Sequence, residues 1–468
     1  MRDDHLKEDG PVRAVIIGAG QRGRNYAQYA LEHPDVFQIV GVAEPREFWR
    51  SHVASKYSID PVHVYTDWKD AAAAEKFADC VIIATQDALH AGTSITFAAM
   101  THERLDPAVA FADLGYHILL EKPMAVTKAD CIRIHAAATR NRVLLSVCHV
   151  MRCSPYSLKL RQLTREAVGK VVNIQHIEPV GFWHHSHSYV RGNWRREDES
   201  TFMLMAKSCH DVDYIHYLME KPVRAVSSFG SRIHFRAEEK PLGAADRCLD
   251  CPVEPDCMYS AKKIYLDVPP PQVVPPVEIE NCAATVHPSA HGWYNGSRGA
   301  ASGYQDWPLS VLHESPSVES ITEALRTGPY GRCVYACDND VVDNQVVNFQ
   351  FAGGATASFT MVAFTEATCV RTTKVFGTKG ELTADGTTIR HFDFLLRVVT
   401  EYTPGSSPST SKISGHGGAD YFLIENFIHG VRTGDASVLL TGADESLQSH
   451  LMVFAAEEAR RTDRVVRF

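Results

Sequence analysis

The chain has 468 residues, a length that suits two or three domains, and its 45% hydrophobic and 22% charged residues are ordinary for a globular protein. This composition excludes disordered, collagen-like and coiled-coil chains, and the formal net charge of −9 argues against nucleic acid as a partner. The apolar runs are only as long as strands, so no membrane span is expected, and residues 1–11 do not resemble a signal peptide. Twelve scattered cysteines predict a reduced, cytoplasmic protein.

The first part of the chain predicts strands that alternate with helices. The candidate strands are mainly apolar runs at residues 12–17, 38–43, 79–84, 117–120 and 143–147. Runs of this kind suit strands buried on both faces of a sheet. Their alternation with helical segments is typical of a doubly wound parallel sheet, so we predict an α/β domain over residues 1–150.

From about residue 171 the strands become longer, and apolar and polar residues alternate within them. The candidates are residues 171–178, 223–235, 346–351, 355–363 and 372–376. This pattern predicts an α+β domain over residues 151–468 with a large open, mainly antiparallel sheet that has one solvent-facing side. Soluble proteins usually cover such a face by symmetric pairing, so we expect a homo-oligomer, a dimer or tetramer, formed through the sheet.

Two further segments belong to this second domain. Residues 238–320 are rich in cysteine, proline and glycine, and we predict that they form an insertion on the sheet. Residues 420–430 and 443–461 have helical periodicity. The C-terminal helix is expected to pack back against the first domain.

A glycine-rich turn, Gly18-Ala-Gly20-Gln-Arg-Gly23, follows the first predicted strand. The first glycine permits a tight turn, the second lets the backbone approach a pyrophosphate, and the third allows close helix packing. With the second strand ending in Glu44, the order of elements is that of a Rossmann dinucleotide site. The Glu44 carboxylate suits the ribose hydroxyls and repels a 2′-phosphate, so NAD is predicted, while Arg46 leaves NADP open.

The segment Glu121-Lys122-Pro123 ends the fourth predicted strand, at the edge where open α/β sheets bind ligands. With this segment and the glycine turn, the chain resembles the glucose–fructose oxidoreductase/inositol dehydrogenase (Gfo/Idh/MocA) family. The likeness extends to three further places, namely Ala84-Thr-Gln-Asp-Ala-Leu-His90, Arg152 with Pro155, and Phe376-Gly-Thr-Lys-Gly-Glu381. The chain departs from the family at Gln86, where proline is usual.

The resemblance implies an NAD(P)-dependent oxidoreductase in which Lys122 lies beside the nicotinamide and the substrate hydroxyl. It implies that the cofactor is contacted by Gly18, Gly20, Gln21, Arg22, Gly23, Glu44, Ala84, Thr85, His90, Glu121, Lys122, Trp194 and Arg195. The predicted substrate site consists of Lys122, Arg152, His187, Arg191, Asn193, Lys207 and His210.

The predicted acid/base is His210, in the segment Lys207-Ser-Cys-His210-Asp-Val-Asp213. The segment has helical character, so residues three apart share a face, and imidazole titrates near neutral pH. The family usually places an aspartate four residues before this histidine, whereas this chain has Ala206. The carboxylate that orients His210 would then come from elsewhere, with Asp213 as a candidate. A buried histidine without a catalytic role is the alternative.

Residues 183–195 combine aromatic rings with polar side chains, including His187, Arg191 and Asn193. Directed donors and acceptors suit the hydroxyls of a carbohydrate, and aromatic rings suit its apolar faces. Trp194 and Arg195 match a Trp-Arg pair with which the resembled family contacts cofactor or substrate. A polar surface loop is the alternative for any one of these residues.

Cys248, Cys251 and Cys257 lie close together within the predicted insertion. Three closely spaced thiols in a reduced chain favour a metal site over disulfides. A structural zinc site has four ligands, and we predict His234 as the fourth in preference to Cys282. Zinc would then hold together a proline-rich segment that is too polar to fold alone.

These features predict an oxidoreductase that transfers hydride to NAD from a secondary hydroxyl of a sugar, glycoside or cyclitol, with Lys122 and His210 handling the proton. Two alternatives remain open. An NAD-dependent glycoside hydrolase would oxidise its substrate transiently and keep its cofactor, whereas a dehydrogenase releases reduced cofactor at each turnover. A non-catalytic NAD-binding sensor would need neither Lys122 nor His210.

Overall fold

A computed structural model describes residues 10–86, 107–266, 299–405, 408, 410–413 and 415–468. His90 and Cys282 lie outside the described residues. The strands are β1 (Val12–Ile17), β2 (Phe37–Ala43), β3 (Val64–Tyr65), β4 (Cys80–Ile83), β5 (His117–Leu120), β6 (Leu145–Val147), β7 (Val171–Pro179), β8 (Val223–Ser231), β9 (Asn344–Phe351), β10 (Thr356–Val362), β11 (Thr372–Gly377), β12 (Gly380–Ala384), β13 (Ile389–Asp393), β14 (Val398–Tyr402) and β15 (Val466–Arg467). The α-helices are α1 (Gln21–Glu32), α2 (Glu47–Lys56), α3 (Trp68–Ala73), α4 (Pro107–Asp113), α5 (Lys128–Asn141), α6 (Pro155–Glu166), α7 (Phe182–His185), α8 (Met203–Ala206), α9 (Cys209–Met219), α10 (Leu309–Leu312), α11 (Val318–Thr327), α12 (Ala419–Thr433) and α13 (Ala443–Thr462).

The first sheet is parallel, with the strand order β3-β2-β1-β4-β5-β6. Its central strands are mainly apolar because helices cover both faces, as in β4, whose four residues are all buried. The order reverses between β1 and β4, and open α/β sheets bind ligands at the carboxyl ends of such strands. The predicted doubly wound parallel sheet is therefore confirmed.

The second sheet has the order β14-β13-β12-β11-β7-β10-β9-β8-β15. Strands β10 and β7 run parallel, and the other neighbours run antiparallel. This confirms the mainly antiparallel sheet that the alternating pattern predicts. The sheet also contains β12, β13 and β14, which form successive antiparallel pairs and were not among the predicted strands.

The two faces of the second sheet differ in how they are covered. Helices α9 and α13 pack against one face, and their apolar residues share one buried core with the inward side chains of the strands. On the other face, Phe229, Val346, Thr360, Ile177 and Thr372 are register partners in a row across β8, β9, β10, β7 and β11. Phe229 is 63% exposed, Ile177 42% and Val346 38%, so this row is an apolar strip in contact with solvent.

Both C-terminal helices reach the first sheet. Leu423, Ile424 and Phe427 of α12 belong to the buried core that lies under β1 and β2. His450 of α13 accepts a hydrogen bond at Nε2 from the backbone N–H of Met124, at 2.8 Å. Among the helices of the described ranges, none combines the length and the apolarity needed to cross a membrane.

Candidate active site

The glycine turn follows β1 at the point where the strand order reverses. Gly18 has φ +92°, and a Cβ atom there would lie 2.6 Å from the carbonyl oxygen of Ala84, which follows β4. A Cβ atom on Gly23 would lie 2.2 Å from the carbonyl oxygen of Gly18, so only glycine lets α1 pack this closely. Gly20 has room, because a Cβ atom there would be 3.7 Å from Arg46 Nη2. The turn therefore leaves space for a ligand beside Gly20.

The N-terminus of α1 is suited to an anion. Gly20 is its N-cap and makes no side-chain cap, and the first turn carries no acidic residue. Backbone N–H groups in the first turn of a helix have no partner within the helix and attract phosphate groups. This geometry fits the pyrophosphate of a dinucleotide.

Glu44 is buried at the end of β2 and is bound on two sides. Its carboxylate accepts the Ala19 N–H at 2.8 Å, and Arg46 donates to it from Nε at 2.7 Å and from Nη2 at 3.0 Å. Burial opposes its ionisation, but the hydrogen bonds and the charge of Arg46, together with the bond from Ala19, lower the pKa of Glu44. Arg24 lies nearby, stacked on the Trp49 ring at 3.4 Å. Glu44, predicted to bind the ribose hydroxyls of NAD, and Arg46, which could bind the 2′-phosphate of NADP, thus form one ion pair.

Arg22 links the glycine turn to β5 and to α12. Its Nε donates to Glu121 Oε1 at 2.6 Å, and its two Nη atoms donate to the two Asp420 oxygens at 2.6 and 3.0 Å. Tyr26 donates to the same Glu121 oxygen at 2.8 Å. Glu121 in turn accepts the backbone N–H of Lys122 at 2.9 Å. This charged network ties the glycine turn to Glu121, the residue that precedes Lys122.

The structure brings Lys122 and His210 together at the carboxyl edge of the first sheet. Lys122 donates from Nζ to the carbonyl oxygen of Ala206 at 2.7 Å. His210, in the first turn of α9, is 4% exposed, and its ring centroid is 5.9 Å from that of His149 and 5.5 Å from that of His416. Neither His149 nor His416 was among the residues predicted from the sequence. His149 follows β6 at the same sheet edge, a position that could have marked it, whereas no motif marks His416.

The buried imidazoles of this site are held neutral. Burial, reinforced by the charge of Lys122, lowers the pKa of His210 well below its ordinary value. Burial also lowers the pKa of His149 to about 3. A neutral imidazole can accept a proton at neutral pH. Beside His210, His416 Nδ1 lies 3.4 Å from Asp420 Oδ2, so a histidine–carboxylate pair adjoins the candidate base.

Asp213 pairs with Arg152 in the structure rather than with His210. Arg152 donates to the two Asp213 oxygens from Nε at 2.7 Å and from Nη2 at 2.6 Å, and from Nη1 to the carbonyl oxygen of Leu440 at 3.1 Å. Asp213 Oδ1 lies 3.9 Å from His149 Nε2. Both partners of the pair are buried. Arg152 thus makes its hydrogen bonds within the protein, whereas the resemblance predicted that it contacts the substrate.

The spacing of Lys207 and His210 predicts that they share one helix face. They do not, because the segment is broken between α8 and α9. Lys207 Nζ lies 3.3 Å from Glu178 Oε1 and donates to Cys369 Sγ at 2.9 Å. Arg371 Nε is 2.7 Å from the other Glu178 oxygen. Burial opposes the charge of the Lys207 ammonium group, but Cys369 and Glu178 raise its pKa. The break lets this buried ammonium group reach its counter-charge on β7.

The polar, aromatic segment 183–195 packs largely against the insertion. His187 Nδ1 is 2.8 Å from Tyr265 OH, and Arg191 donates to the carbonyl oxygens of Arg332 and Tyr259, each at 2.8 Å. His187 and Arg191 are both buried. Their contacts are thus internal, whereas contacts with a sugar were predicted for them.

The end of the same segment is more open. Asn193 is exposed in a turn, and the Trp194 ring lies 6.2 Å from that of Tyr189. Arg195 pairs with Asp338 at 3.0 Å and with Glu199 at 2.7 Å. The ion pairs of Arg195 are again made within the protein, so its predicted cofactor contact would have to compete with them.

The predicted zinc ligands are only partly brought together. Cys248, Cys251 and Cys257 line one cavity of the insertion together with Cys333, whereas His234 Nε2 lies 3.0 Å from Tyr335 OH and is not part of the cavity wall. The described cysteines are free thiols. Within the described ranges, no three His, Cys, Asp or Glu side chains converge as they would around a metal ion.

Two sequence-family descriptions, both of the Gfo/Idh/MocA group, match most of the chain. Residues 12–149 match the oxidoreductase family, NAD-binding Rossmann fold. Residues 161–468 match the oxidoreductase family, C-terminal alpha/beta domain.

Named relatives are distant. The putative oxidoreductase YteT of Bacillus subtilis is 22% identical over 344 residues, which cover 71% of each chain. The 2,7-anhydro-N-acetylneuraminate hydratase of Escherichia coli is 23% identical, over 47% of this chain and 52% of the relative. Inositol 2-dehydrogenase 1 of Saccharopolyspora erythraea is 25% identical, over 48% of this chain and 60% of the relative. The last two matches thus span little more than half of the relatives' length.

Solved structures share the fold over nearly the whole chain. An oxidoreductase from Agrobacterium radiobacter, in complex with NAD+, L-tartaric acid and magnesium, has a TM-score of 0.63 at 13% identity and covers 97% of this chain and 98% of its own. Levoglucosan dehydrogenase, in complex with NADH and levoglucosan, has a TM-score of 0.62 at 15% identity, with coverage of 98% and 99%.

Proposed function

The chain belongs to the Gfo/Idh/MocA oxidoreductase family and carries its NAD-binding domain, and from this premise we propose that it oxidises a secondary hydroxyl of a sugar, glycoside or cyclitol with NAD. The observation that carries the proposal is the placement of Lys122 beside a buried, neutral His210 at the sheet edge that also holds the glycine turn. A non-catalytic sensor would need no such pair.

The residues of the turn fit a dinucleotide. The open space at Gly20 and the uncapped N-terminus of α1 suit a pyrophosphate, and the buried Glu44 carboxylate suits the ribose hydroxyls. When bound, the nicotinamide ring supplies the hydride acceptor. Ala84 and Thr85 follow β4 on the other side of the switch point and would flank the cofactor.

His210 and Lys122 divide the proton chemistry between them. Since burial keeps His210 neutral, its imidazole takes the proton of the substrate hydroxyl. The Lys122 ammonium group, held by the Ala206 carbonyl, positions the hydroxyl and stabilises the alkoxide that forms as the proton leaves. The His416–Asp420 pair lies beside this imidazole, with the ring centroids of His416 and His210 5.5 Å apart.

The names of the relatives support the substrate class. They include an inositol 2-dehydrogenase, named for a cyclitol substrate, and a levoglucosan dehydrogenase, named for a sugar-type substrate. A second candidate, a redox-neutral reaction in which NAD is regenerated on the enzyme, is favoured by the name of the E. coli relative, a hydratase. The substrates to test therefore include glycosides and anhydro sugars as well as free sugars and cyclitols.

One screen separates these candidates. Purified protein with NAD is offered sugars, cyclitols and glycosides while the absorbance of NADH and the loss of substrate are both followed. A dehydrogenase forms one NADH for each substrate consumed, whereas the redox-neutral reaction consumes substrate with trace cofactor and no net NADH. If neither NADH formation nor substrate loss is seen with any of these compounds, the proposal is refuted.

Two variants with matched controls test the assigned roles. Lys122→Met and His210→Gln should each lower kcat/KM by about a hundredfold or more, the scale of general acid–base catalysis. Lys128→Met and His429→Gln change exposed residues of the same types and should leave it unchanged. Retained NAD affinity and urea midpoint in the two catalytic variants would show that the loss is chemical, and near-normal rates would remove Lys122 or His210 from the mechanism.

We also propose that the protein forms a homo-oligomer through the open face of the second sheet. The support is the row of exposed apolar side chains at Phe229, Val346 and Ile177, because the commonest assembly of soluble proteins pairs the same surface patch of two copies about a two-fold axis. A flat sheet face of this kind is commonly buried against a second copy.

A further inference from the structure

The cysteine-rich insertion encloses a cavity of about 190 Å³ whose wall contains four cysteines. They are Cys248, Cys251, Cys257 and Cys333. The first three lie within ten positions of one another, and the fourth comes from a separate segment beyond the insertion. The cavity lies outside the Lys122–His210 site, and the proposed dehydrogenase chemistry gives these thiols no role.

Backbone pairing places the distant fourth cysteine beside the other three. Arg247 and Arg332 form an isolated antiparallel bridge, and Cys333 donates its backbone N–H to the carbonyl oxygen of Asp246 at 2.8 Å. Cys248 begins a short 3-10 turn, and Cys251 directly follows it. Cys257 directly follows the next 3-10 turn. The C-x-x-C pair therefore sits on a tight turn that the bridge holds against Cys333.

Arg191 provides an independent observation that points to an anion in this cavity. Its side chain lines the cavity and is 1% exposed, with Nη2 3.5 Å from Cys248 Sγ. Its other bonds go to two carbonyl oxygens, and among the described residues Nη1 has no hydrogen-bond partner. A guanidinium buried this deeply is costly without a counter-charge, and the structure pairs it with no carboxylate of the described ranges.

We propose that Cys248, Cys251, Cys257 and Cys333 together bind one Zn²⁺ ion. Each cysteine would lose its thiol proton to solvent and bind as a thiolate, with no change of oxidation state. Four thiolates and one Zn²⁺ carry a net charge of −2, and this charge is the counter-charge that the buried Arg191 lacks. Four protein ligands leave no open position, so the ion is structural and holds the insertion onto the sheet domain.

The proposal replaces His234 with Cys333 as the fourth ligand. His234 is not in the cavity wall, and its Nε2 is already within hydrogen-bond distance of Tyr335 OH. The four thiols of the described structure do not converge to ligand distance, so binding must contract the cavity. Cys251 and Cys257 are part-exposed and follow short turns, which lets their side chains move toward Cys248 and Cys333.

Metal analysis of the full-length protein, purified reduced and without chelator, tests the proposal. About one zinc per chain is expected in the unmodified protein, since a four-thiolate site binds a single ion. Cys333→Ser should lose most of that zinc. The matched control is Cys337→Ser, which removes a part-exposed thiol four residues away that is not in the cavity wall, and it should retain the metal. His234→Ala should retain it as well.

A second measurement keeps the test decisive if Cys333→Ser fails to fold. The unmodified protein is stripped of metal under reducing conditions and titrated with Co²⁺. The spectrum expected is that of tetrahedral cobalt bound by four thiolates, and Zn²⁺ should displace it stoichiometrically. Absence of zinc and of cobalt uptake, a spectrum with an imidazole ligand, loss of metal in His234→Ala, or disulfides between these cysteines in the purified protein would each overturn the proposal.

Discussion

Lowering the pH from neutral is expected to destabilise the protein strongly, because several histidines are buried in the neutral form. Burial is the largest cause that lowers the pKa of His149, His185 and His187, each to about 3. An unfolded histidine has a pKa of about 6.5. Below that value the unfolded chain binds protons that the folded chain does not, so the stabilisation is complete above it and is lost as the pH falls toward 3.

The size of this loss follows from the shifts. Between about pH 7 and about pH 5, each of the three histidines removes about 2 kcal/mol from the free energy of unfolding, or about 6 kcal/mol together. Domains are stable by about 5–15 kcal/mol in total, so the effect should be large in reversible urea unfolding followed by tryptophan fluorescence.

One variant tests the assignment to particular residues. Among the described residues His185 has no hydrogen bond to either ring nitrogen, and its ring stacks on Phe235 with centroids 5.4 Å apart. His185→Phe should therefore fold normally at neutral pH and remove about a third of the pH-dependent loss, about 2 kcal/mol. His429→Gln, at an exposed position of α12, is the control and should change nothing. An unaltered pH dependence in His185→Phe would refute the reasoning.

Three further predictions concern the cofactor, the charged network and the assembly. The enzyme should have a higher kcat/KM with NAD than with NADP, and equal values would contradict the role of Glu44. Glu44→Ser should bring the two kcat/KM values closer together, and Arg46→Ala should weaken NADP binding. Asp420→Asn should lower the free energy of unfolding by about 2 kcal/mol in urea titrations, because the part-buried Arg22 keeps its charge and loses one of its two carboxylate partners, and an unchanged value would contradict the network. Ile177→Asp, in the exposed row, should shift sedimentation from oligomer to monomer, and a monomeric unmodified protein at micromolar concentration would contradict the assembly.

The parts of the fold that were predictable from the sequence are those with a local pattern. Five of the six residues of β1 are apolar and the glycines follow the strand directly, so the strand, the turn and the ligand edge follow from spacing alone. The hairpin strand β14 gave no such signal, because its residues are exposed or half-buried and do not alternate. Its pairing with β13 depends on the backbone register, which side-chain polarity does not show.

The contacts that the sequence could not show join residues far apart in the chain. Arg22 reaches Asp420 across 398 positions, and neither residue lies in a pattern that names the other. Lys207 illustrates a second reason. Its helical spacing to His210 predicts a shared face, but an ammonium group that is buried needs a counter-charge, and Glu178 on β7 supplies it only where the helix is broken.

The replacement of the family's aspartate by Ala206 has a structural counterpart. Lys122 bonds to the Ala206 carbonyl, a backbone group that any side chain at this position would leave available. A carboxylate does lie near this place, because Asp420 Oδ2 is 3.4 Å from Nδ1 of His416, whose ring neighbours that of His210. Asp420 also accepts both Nη atoms of Arg22, whose Nε holds the carboxylate of Glu121 before Lys122. One carboxylate thus contacts both Arg22 of the glycine turn and His416 beside His210, so the predicted cofactor turn and the predicted acid/base site are parts of one continuous network.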